Sequence, residues 1–288
     1  MKVLLIGATG QLGGDLLRNN VAHEIVAPGR DVLDLARPAQ LATVIADLAP
    51  DAIINCAAFH NVPQCEQQPQ EAFLTNCVAV RELAAAAQAS GARLVTFSTD
   101  YVFGGAGRRE PYLETDLPQP LQIYGISRLA GELAALAVAP RNTVIIRTCG
   151  LYGEHHSRSK NGNFVEQRVA EAEAGRHIQM ACEQTVAPTY CDDLSRAVWS
   201  LLEHPGGAAG IYHLTNEGEC SWYEFAKAIL ELSGYPPDIE PVDRGGMSGK
   251  MRRPLYSVLA NTRARALGIS LRPWREALAA YLQTKRKP

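Results

Sequence analysis

Short apolar runs alternate with longer stretches of helical periodicity through the first half of the chain. Lys2 to Ile6 reads as a buried strand, and Gly10 to Asn19 as the helix that follows it. The same pattern predicts strands over 24–27, 52–55, 93–97 and 143–147, with helices over 41–48, 69–90 and 121–137. Pro50 and Gly91 punctuate two of the helix ends. Nearly continuous apolar strands separated by helices predict an α/β fold, a Rossmann-type doubly wound parallel sheet covered on both faces.

After Gly150 the rhythm breaks. Residues 155–162, rich in Ser, Lys and Asn, read as a mobile loop over a site. Helices follow over 164–174 and 192–203, with strands at 178–180 and 210–214; two or three more helices lie between Ser221 and Leu282. Residues 1–150 are therefore expected to form a dinucleotide-binding domain, to which 190–215 returns. Residues 151–189 and 216–288 are expected to form a smaller, mostly helical substrate domain.

Composition narrows the function classes. The 288 residues carry a net charge of -2, which gives no reason to expect nucleic acid as a partner. Lys285-Arg286-Lys287 reads as a solvated tail. No apolar run reaches the ~20 residues of a membrane span, and Met1-Lys2 leads into a strand rather than a signal peptide. Seven scattered cysteines without Cys-x-x-Cys spacing predict reduced thiols in a cytoplasmic protein and no metal site. A homodimer is compatible with all of this.

The first chemical signal is Gly7-Ala8-Thr9-Gly10-Gln11-Leu12-Gly13, between the first strand and the first helix. Glycines at this spacing permit a tight turn and bring a pyrophosphate to the positive end of the helix. Arg30 and Asp31 follow the second strand. An arginine there suits the 2′-phosphate of NADPH and an acid the ribose of NADH, so NADPH is expected, with NADH tolerated. Asp34 and Leu35 are placed to meet the adenine. Ala57 and Ala58, at the end of the 52–55 strand, are small enough for the cofactor backbone to pass.

A second constellation lies further on. Thr99, closing the strand predicted over 93–97, offers a hydroxyl to a carbonyl oxygen, and Tyr124 offers a proton. Tyr124 and Arg128 are four residues apart and so share a helix face. The pair is similar to the Tyr-x-x-x-Lys of short-chain dehydrogenases, with arginine in the lysine position. A guanidinium keeps the charge but is planar, bulkier and releases no proton.

Ser98 to Gly104, Leu121 to Gly125, Leu129 to Glu132, Gly162-Asn163-Phe164, Ala187-Pro188-Thr189 and Arg252-Arg253-Pro254, in that order, resemble the dTDP-4-dehydrorhamnose reductase family of extended short-chain dehydrogenases. The resemblance covers almost the whole chain. It implies NADPH-linked reduction of the 4-keto group of a dTDP-sugar. By it, Thr99 and Tyr124 handle the carbonyl and Arg128 takes the place of the lysine. Asp100 and Phe103 would face the sugar, Ala57, Ala58 and His60 the cofactor, and Asn163, Arg252 and Arg253 the nucleotide-sugar. Gly150 replaces the family's usual aromatic residue, which implies an altered or larger sugar. The same fold also serves non-catalytic nucleotide-binding regulatory subunits, the alternative from a different class. His155-His156 reads as solvated loop, Cys149 as a core thiol, and Asp192-Asp193 as a helix cap.

Overall fold

The computed structural model describes residues 1–155, 162–249 and 251–286. Six strands form the central sheet: β1 (Lys2–Ile6), β2 (Glu24–Val26), β3 (Ala52–Asn55), β4 (Arg93–Thr99), β5 (Thr143–Thr148) and β6 (Gly210–His213). They lie in the order β2-β1-β3-β4-β5-β6, every ladder parallel. Alternate residues of a strand face opposite sides of a sheet, and both sides are apolar here. Val3 and Leu5 of β1 enter one core with Leu12 and Leu16 of α1 (Gln11–Arg18). Leu4 and Ile6 enter the other, with Leu41 and Ile45 of α2 (Leu41–Leu48) and Leu83 of α3 (Ala79–Ser90). Continuous hydrophobicity in β1 thus follows from burial on two faces.

The chain leaves β1 toward β2 and then crosses to β3 on the opposite side. The connections that follow β1 and β3 run to opposite faces of the sheet at this switch point, where α/β sheets bind their ligands. Beyond β4, α4 (Ile123–Val138) packs against α3 and carries Tyr124 in its first turn. Its N-cap is Gln122, whose side-chain oxygen accepts from Gly125 N at 3.3 Å.

The helix expected over 69–90 is interrupted. An α-helical turn at Pro69–Phe73 leads into a π-helical turn at Leu74–Val78 before α3 begins. Hydrophobic periodicity does not register one inserted residue, and such bulges gather at functional sites.

A separate core joins α5 (Phe164–Glu173), α7 (Trp222–Ser233) and α8 (Trp274–Arg286) through Val165, Phe225, Ile229, Leu278 and Tyr281. Between α5 and α7 comes α6 (Cys191–Glu203), which covers the first core beside α1. The strand expected at 178–180 is found, as Ile178–Ala181, and pairs with an unexpected one at Ile239–Val242; among the described residues Met247–Ser248 with Met251–Arg252 is a further short ladder that the expectation of a mostly helical region omits. Strands of two to four residues are too short to show alternation. Ala264, Ile269 and Leu271, expected in the second region, pack in the first core.

Asp192 and Asp193 lie in the first turn of α6 rather than at its cap, which is Tyr190. They pair with Arg18, Arg196 and Arg272. Lys285, expected in a solvated tail, pairs with Glu166 at 2.7 Å. The predicted mobile loop lies, over 156–161, outside the described residues. Among the described residues no helix is long and apolar enough to cross a membrane.

Candidate active site

The glycine loop is shaped by close approach. Gly7 has φ +83°, and a Cβ there would stand 3.0 Å from Ala57 N. A Cβ on Gly13 would run into the Gly7 carbonyl and lie 2.7 Å from Ala8 Cα. Gly10 N donates to Gly7 O at 3.0 Å, leaving α1 to start with no side-chain cap. Uncapped first-turn amides attract an anion. Gln11 Nε2, on the same turn, is buried with no hydrogen-bond partner among the described residues. An orphaned buried donor next to an uncapped helix start calls for an acceptor, and a pyrophosphate fits. Leu12 sends its side chain into the core, so only its backbone faces the loop.

Ala57 meets this loop just after β3, where Asn55 Oδ1 accepts from Ala57 N at 3.1 Å, and Ala58 follows it. His60 is exposed, its Nδ1 3.4 Å from Ala58 O. Arg30 extends from the loop after β2 with a 70% exposed side chain, and its Nε is held by Asp34 Oδ1 at 3.1 Å. The Asp34 carboxylate also accepts from Ala36 N, so it shapes this turn. Leu35 is buried in the core beside Leu33 and Ile45, which withdraws it from any adenine.

Thr99 ends β4 next to Thr148 of β5, and its hydroxyl lies close enough to Tyr124 of α4 to bear on the phenol. The helix comes close because residue 125 is glycine: a Cβ there would overlap the Tyr101 carbonyl. Burial holds the Tyr124 phenol above its usual pKa, while the Arg128 charge and the Thr99 hydrogen bond pull it down. Arg128 is buried one turn along the same face, its Nη1 3.5 Å from Asn76 Oδ1. One turn further, Glu132 accepts from Arg147 Nη2 at 2.6 Å and Nε at 3.0 Å, and from Ser98 Oγ. This buried pair anchors α4 across β4 and β5. The edge of one ring of the Tyr101–Tyr124 pair faces the other at 6.0 Å, and Arg253 Nη1 donates to Tyr101 OH at 2.8 Å.

The family described as RmlD substrate binding domain matches residues 1–287. The chain belongs to the RmlD family. The spore coat polysaccharide biosynthesis protein SpsK of Bacillus subtilis is 39% identical to this RmlD-family chain over 99% of it and 98% of its own length. A dTDP-4-keto-6-deoxy-D-glucose reductase of Streptomyces niveus is 35% identical over 96% and 94%. Among solved structures, dTDP-4-dehydrorhamnose reductase of Bacillus anthracis in complex with NADP superposes with a TM-score of 0.91 at 32% identity, covering 98% of this chain and 99% of that one.

Several residues of this RmlD-family chain that were expected at the sugar have their polar groups or rings engaged by other protein groups. Asp100 is 3% exposed and spends its oxygens on Thr99 and Ser257. Phe103 is fully buried, stacked on Tyr112 at 4.2 Å under the Arg147 guanidinium. Asn163 caps α5 by accepting from Glu166 N, and its Nδ2 donates to Gly153 O and Tyr281 OH. Arg252 is exposed on the 247–252 hairpin, whereas its neighbour Arg253 reaches Tyr101. Gly150 has φ +53°, and a Cβ there would be 3.1 Å from Trp222 Cη2 and 3.4 Å from Pro188 Cα. Trp222 therefore stands against Gly150 on the side where a side chain would begin. His155, expected on a solvated loop, lays its ring against Gly14 of α1.

The sequence reading missed Asn76, in the π turn. Its Oδ1 accepts from Phe59 N at 2.9 Å, and its Nδ2 donates to Phe59 O at 2.9 Å and Ser127 Oγ at 3.0 Å. It ties the segment after β3 to the helix of Tyr124. Ser257 was missed as well, because its partner Asp100 is remote in sequence. An asparagine inside an alanine-rich apolar helix was the only signal available for Asn76.

Proposed function

We propose that this chain is an NADPH-dependent reductase of the 4-keto group of a dTDP-linked 6-deoxyhexose, with NADH as a weaker substitute. The observation that carries the reading is the juxtaposition of Thr99, Tyr124 and Arg128 at the carboxyl end of β4, in a fold whose uncapped glycine loop holds the orphaned Gln11 amide. Relatives named as reductases of such sugars, and an NADP complex of one of them, support it.

In this reading the amides of Gly10 to Gly13 and the Gln11 side chain bind the pyrophosphate, and Arg30 takes the 2′-phosphate. Ala57, Ala58 and His60 border the cofactor, whose nicotinamide supplies hydride to the ketone carbon. Tyr124 gives its proton to the ketone oxygen, a step worth roughly 10²–10⁴-fold in rate. Arg128 favours the phenolate that forms by opposing the rise that burial imposes on Tyr124. It cannot relay a proton, because its guanidinium stays charged. Arg253, held through Tyr101 beside Tyr124, supplies positive charge for the nucleotide-sugar phosphates.

The test is oxidation of NADPH by dTDP-4-keto-6-deoxyhexoses, followed by absorbance. Turnover that disappears in Tyr124→Phe is the expected result. Absence of turnover across dTDP-, GDP- and UDP-linked ketosugars would refute the reading.

A further inference from the structure

Thr148, the last residue of β5, carries a hydroxyl with nothing to bond. It is 5% exposed, and its Oγ1 is buried without a hydrogen-bond partner among the described residues. A hydroxyl can both donate and accept, and water satisfies it wherever water reaches. Shut off from protein and solvent alike, such a group destabilises the chain unless a ligand completes it.

Its position selects the ligand. Thr148 stands opposite Thr99 in the parallel β4–β5 ladder, so the two side chains leave the sheet on one face. Val95 and Phe97 of β4, and Val144 and Ile146 of β5, precede them on that face and pack in the core beneath α1. The helix α1 starts at the carboxyl edge of the sheet, directly after the glycine loop that follows β1. Every ladder is parallel, so Thr99 and Thr148 end their strands at that same edge. The loop at β1 and the two threonines thus share one face and one edge, with β3 lying between β1 and β4.

A dinucleotide with its pyrophosphate at the loop and its 2′-phosphate at Arg30, beyond β2, has one direction left. Its nicotinamide half runs across β3 toward β4 and β5. Hydride transfer brings the nicotinamide C4 within ~3–3.5 Å of the ketone carbon, which the reductase reading places beside Thr99 and Tyr124. The carboxamide is carried on the adjacent ring carbon, and neighbouring strands lie about 4.8 Å apart. The group brought within reach of Thr148 is therefore the carboxamide, which has an oxygen to accept and an NH₂ to donate. Resting on the reductase reading, we propose that Thr148 is a cofactor contact. Its hydroxyl hydrogen-bonds the nicotinamide carboxamide and so fixes which face of the ring meets the sugar.

The same strand contains a control. Thr143, its first residue, is fully buried with an equally orphaned Oγ1, but it stands opposite Leu94 at the amino edge. Five residues separate the two threonines, roughly 17 Å of strand, so a cofactor at the carboxyl edge does not touch Thr143. Valine keeps the shape of threonine and removes the unsatisfied group, so neither Thr143→Val nor Thr148→Val should destabilise the free protein. Only Thr148→Val should also weaken the cofactor.

The test needs no sugar: calorimetric titration with NADPH and with 2′-phospho-ADP-ribose, which keeps the phosphates and lacks the nicotinamide. Thr148→Val should weaken NADPH binding about three- to tenfold and leave 2′-phospho-ADP-ribose within about twofold. Thr148→Ser should return NADPH binding to within about twofold of wild type, and Thr143→Val should leave both ligands unchanged. Thermal midpoints of both valine variants without ligand should be no lower than that of wild type. Should Thr148→Val fail to fold, Thr148→Ala is judged by the same ratio of the two affinities. Equal weakening of both ligands, undiminished NADPH binding, or no recovery in Thr148→Ser would overturn the assignment and leave the reductase reading standing. A lowered midpoint in Thr148→Val alone, with NADPH affinity intact, would overturn it as well, by revealing a purely structural hydroxyl. A wild-type chain that binds neither NADPH nor NADH would overturn both.

Discussion

Replacing Asn76 by alanine should destabilise the protein and, through Ser127 and Arg128, slow its reaction. Asn76 is 1% exposed, so its amide has no water to fall back on. Three of its contacts are neutral hydrogen bonds of 2.9–3.0 Å: Phe59 N to Oδ1, and Nδ2 to Phe59 O and to Ser127 Oγ. The contact from Arg128 Nη1, at 3.5 Å, is too long to count for much. At about 1 kcal/mol for each neutral bond, the loss is about 3 kcal/mol. For a chain of this size that lowers the thermal midpoint by roughly 6–12 °C. The functional effect follows from what the amide joins. Ser127 Oγ donates to Tyr124 O at 2.9 Å, so Asn76 links the π turn to the backbone of the proton donor. The assay is thermal unfolding of Asn76→Ala, Ser127→Ala and the double variant, each paired with kcat and KM. A coupling of about 0.5–1.5 kcal/mol between the two positions is expected, with kcat falling more than KM rises. A midpoint lowered by less than about 2 °C with unchanged kcat would show that the turn holds its shape without this side chain, and the argument would fail.

Tyr124→Phe should lower kcat by roughly 10²–10⁴-fold while leaving NADPH binding intact, and Arg128→Lys should preserve or raise kcat; a nucleotide-binding subunit without catalysis would show neither effect. Burial raises the carboxyl of Asp15, on α1 beside Gly14, to about 7, with Arg18 opposing and Asp192 and Glu154 adding to the rise. Its folded pKa lies above the unfolded 3.8, so the folded state binds the extra proton between these values and stability falls as pH rises through that window. Asp15→Asn should therefore melt higher than wild type at pH 8, by up to ~4 kcal/mol, with the gap shrinking toward pH 4; a constant gap in melting scans across pH would count against it. Gly150→Ala should cost about 1–3 kcal/mol in chemical denaturation, because φ is +53° and the new Cβ would press on Trp222. If the cost in a Trp222→Ala background is as large as in wild type, the ring contact contributes nothing.

The parts of the fold that were legible in the sequence are those whose causes are local. The strand of Val3, Leu4, Leu5 and Ile6 announces itself because both faces of β1 are buried, and the glycine loop because its turn needs Gly7 and Gly13 at fixed spacing. Tyr124 and Arg128 were found together because four residues make slightly more than one helical turn. What escaped depends on partners brought in by the tertiary fold. Asp100 follows Thr99 directly and looks like a second site residue, yet Ser257 and Cys149 enclose it from below. Phe103 sits in the same motif, but Tyr112 and Arg147 close over both of its faces. The absent side chain at Gly150 gives no hint that Trp222, on a helix more than seventy residues later in sequence, stands against it. A motif marks a neighbourhood; burial decides which of its members reach the substrate.

That distinction also bears on why arginine can stand where the family's resemblance predicts lysine. Tyr124, Arg128 and Glu132 occupy successive turns on one face of α4, and each is tied to a different element. Tyr124 meets Thr99 of β4, Arg128 lies against Asn76 of the π turn, and Glu132 binds Arg147 of β5 and Ser98 of β4. The Glu132–Arg147 pair is almost fully buried, so it holds the helix rigidly while using no charge of the site above it. Arg128 is thus the cation next to Tyr124 on its own helix, opposing the desolvation that would otherwise keep the phenol protonated. The electrostatic contribution requires only a fixed positive charge, and a buried guanidinium supplies one. A proton relay is what it cannot supply. The substitution is therefore tolerated where charge alone is needed, and Arg128→Lys measures whether anything more was.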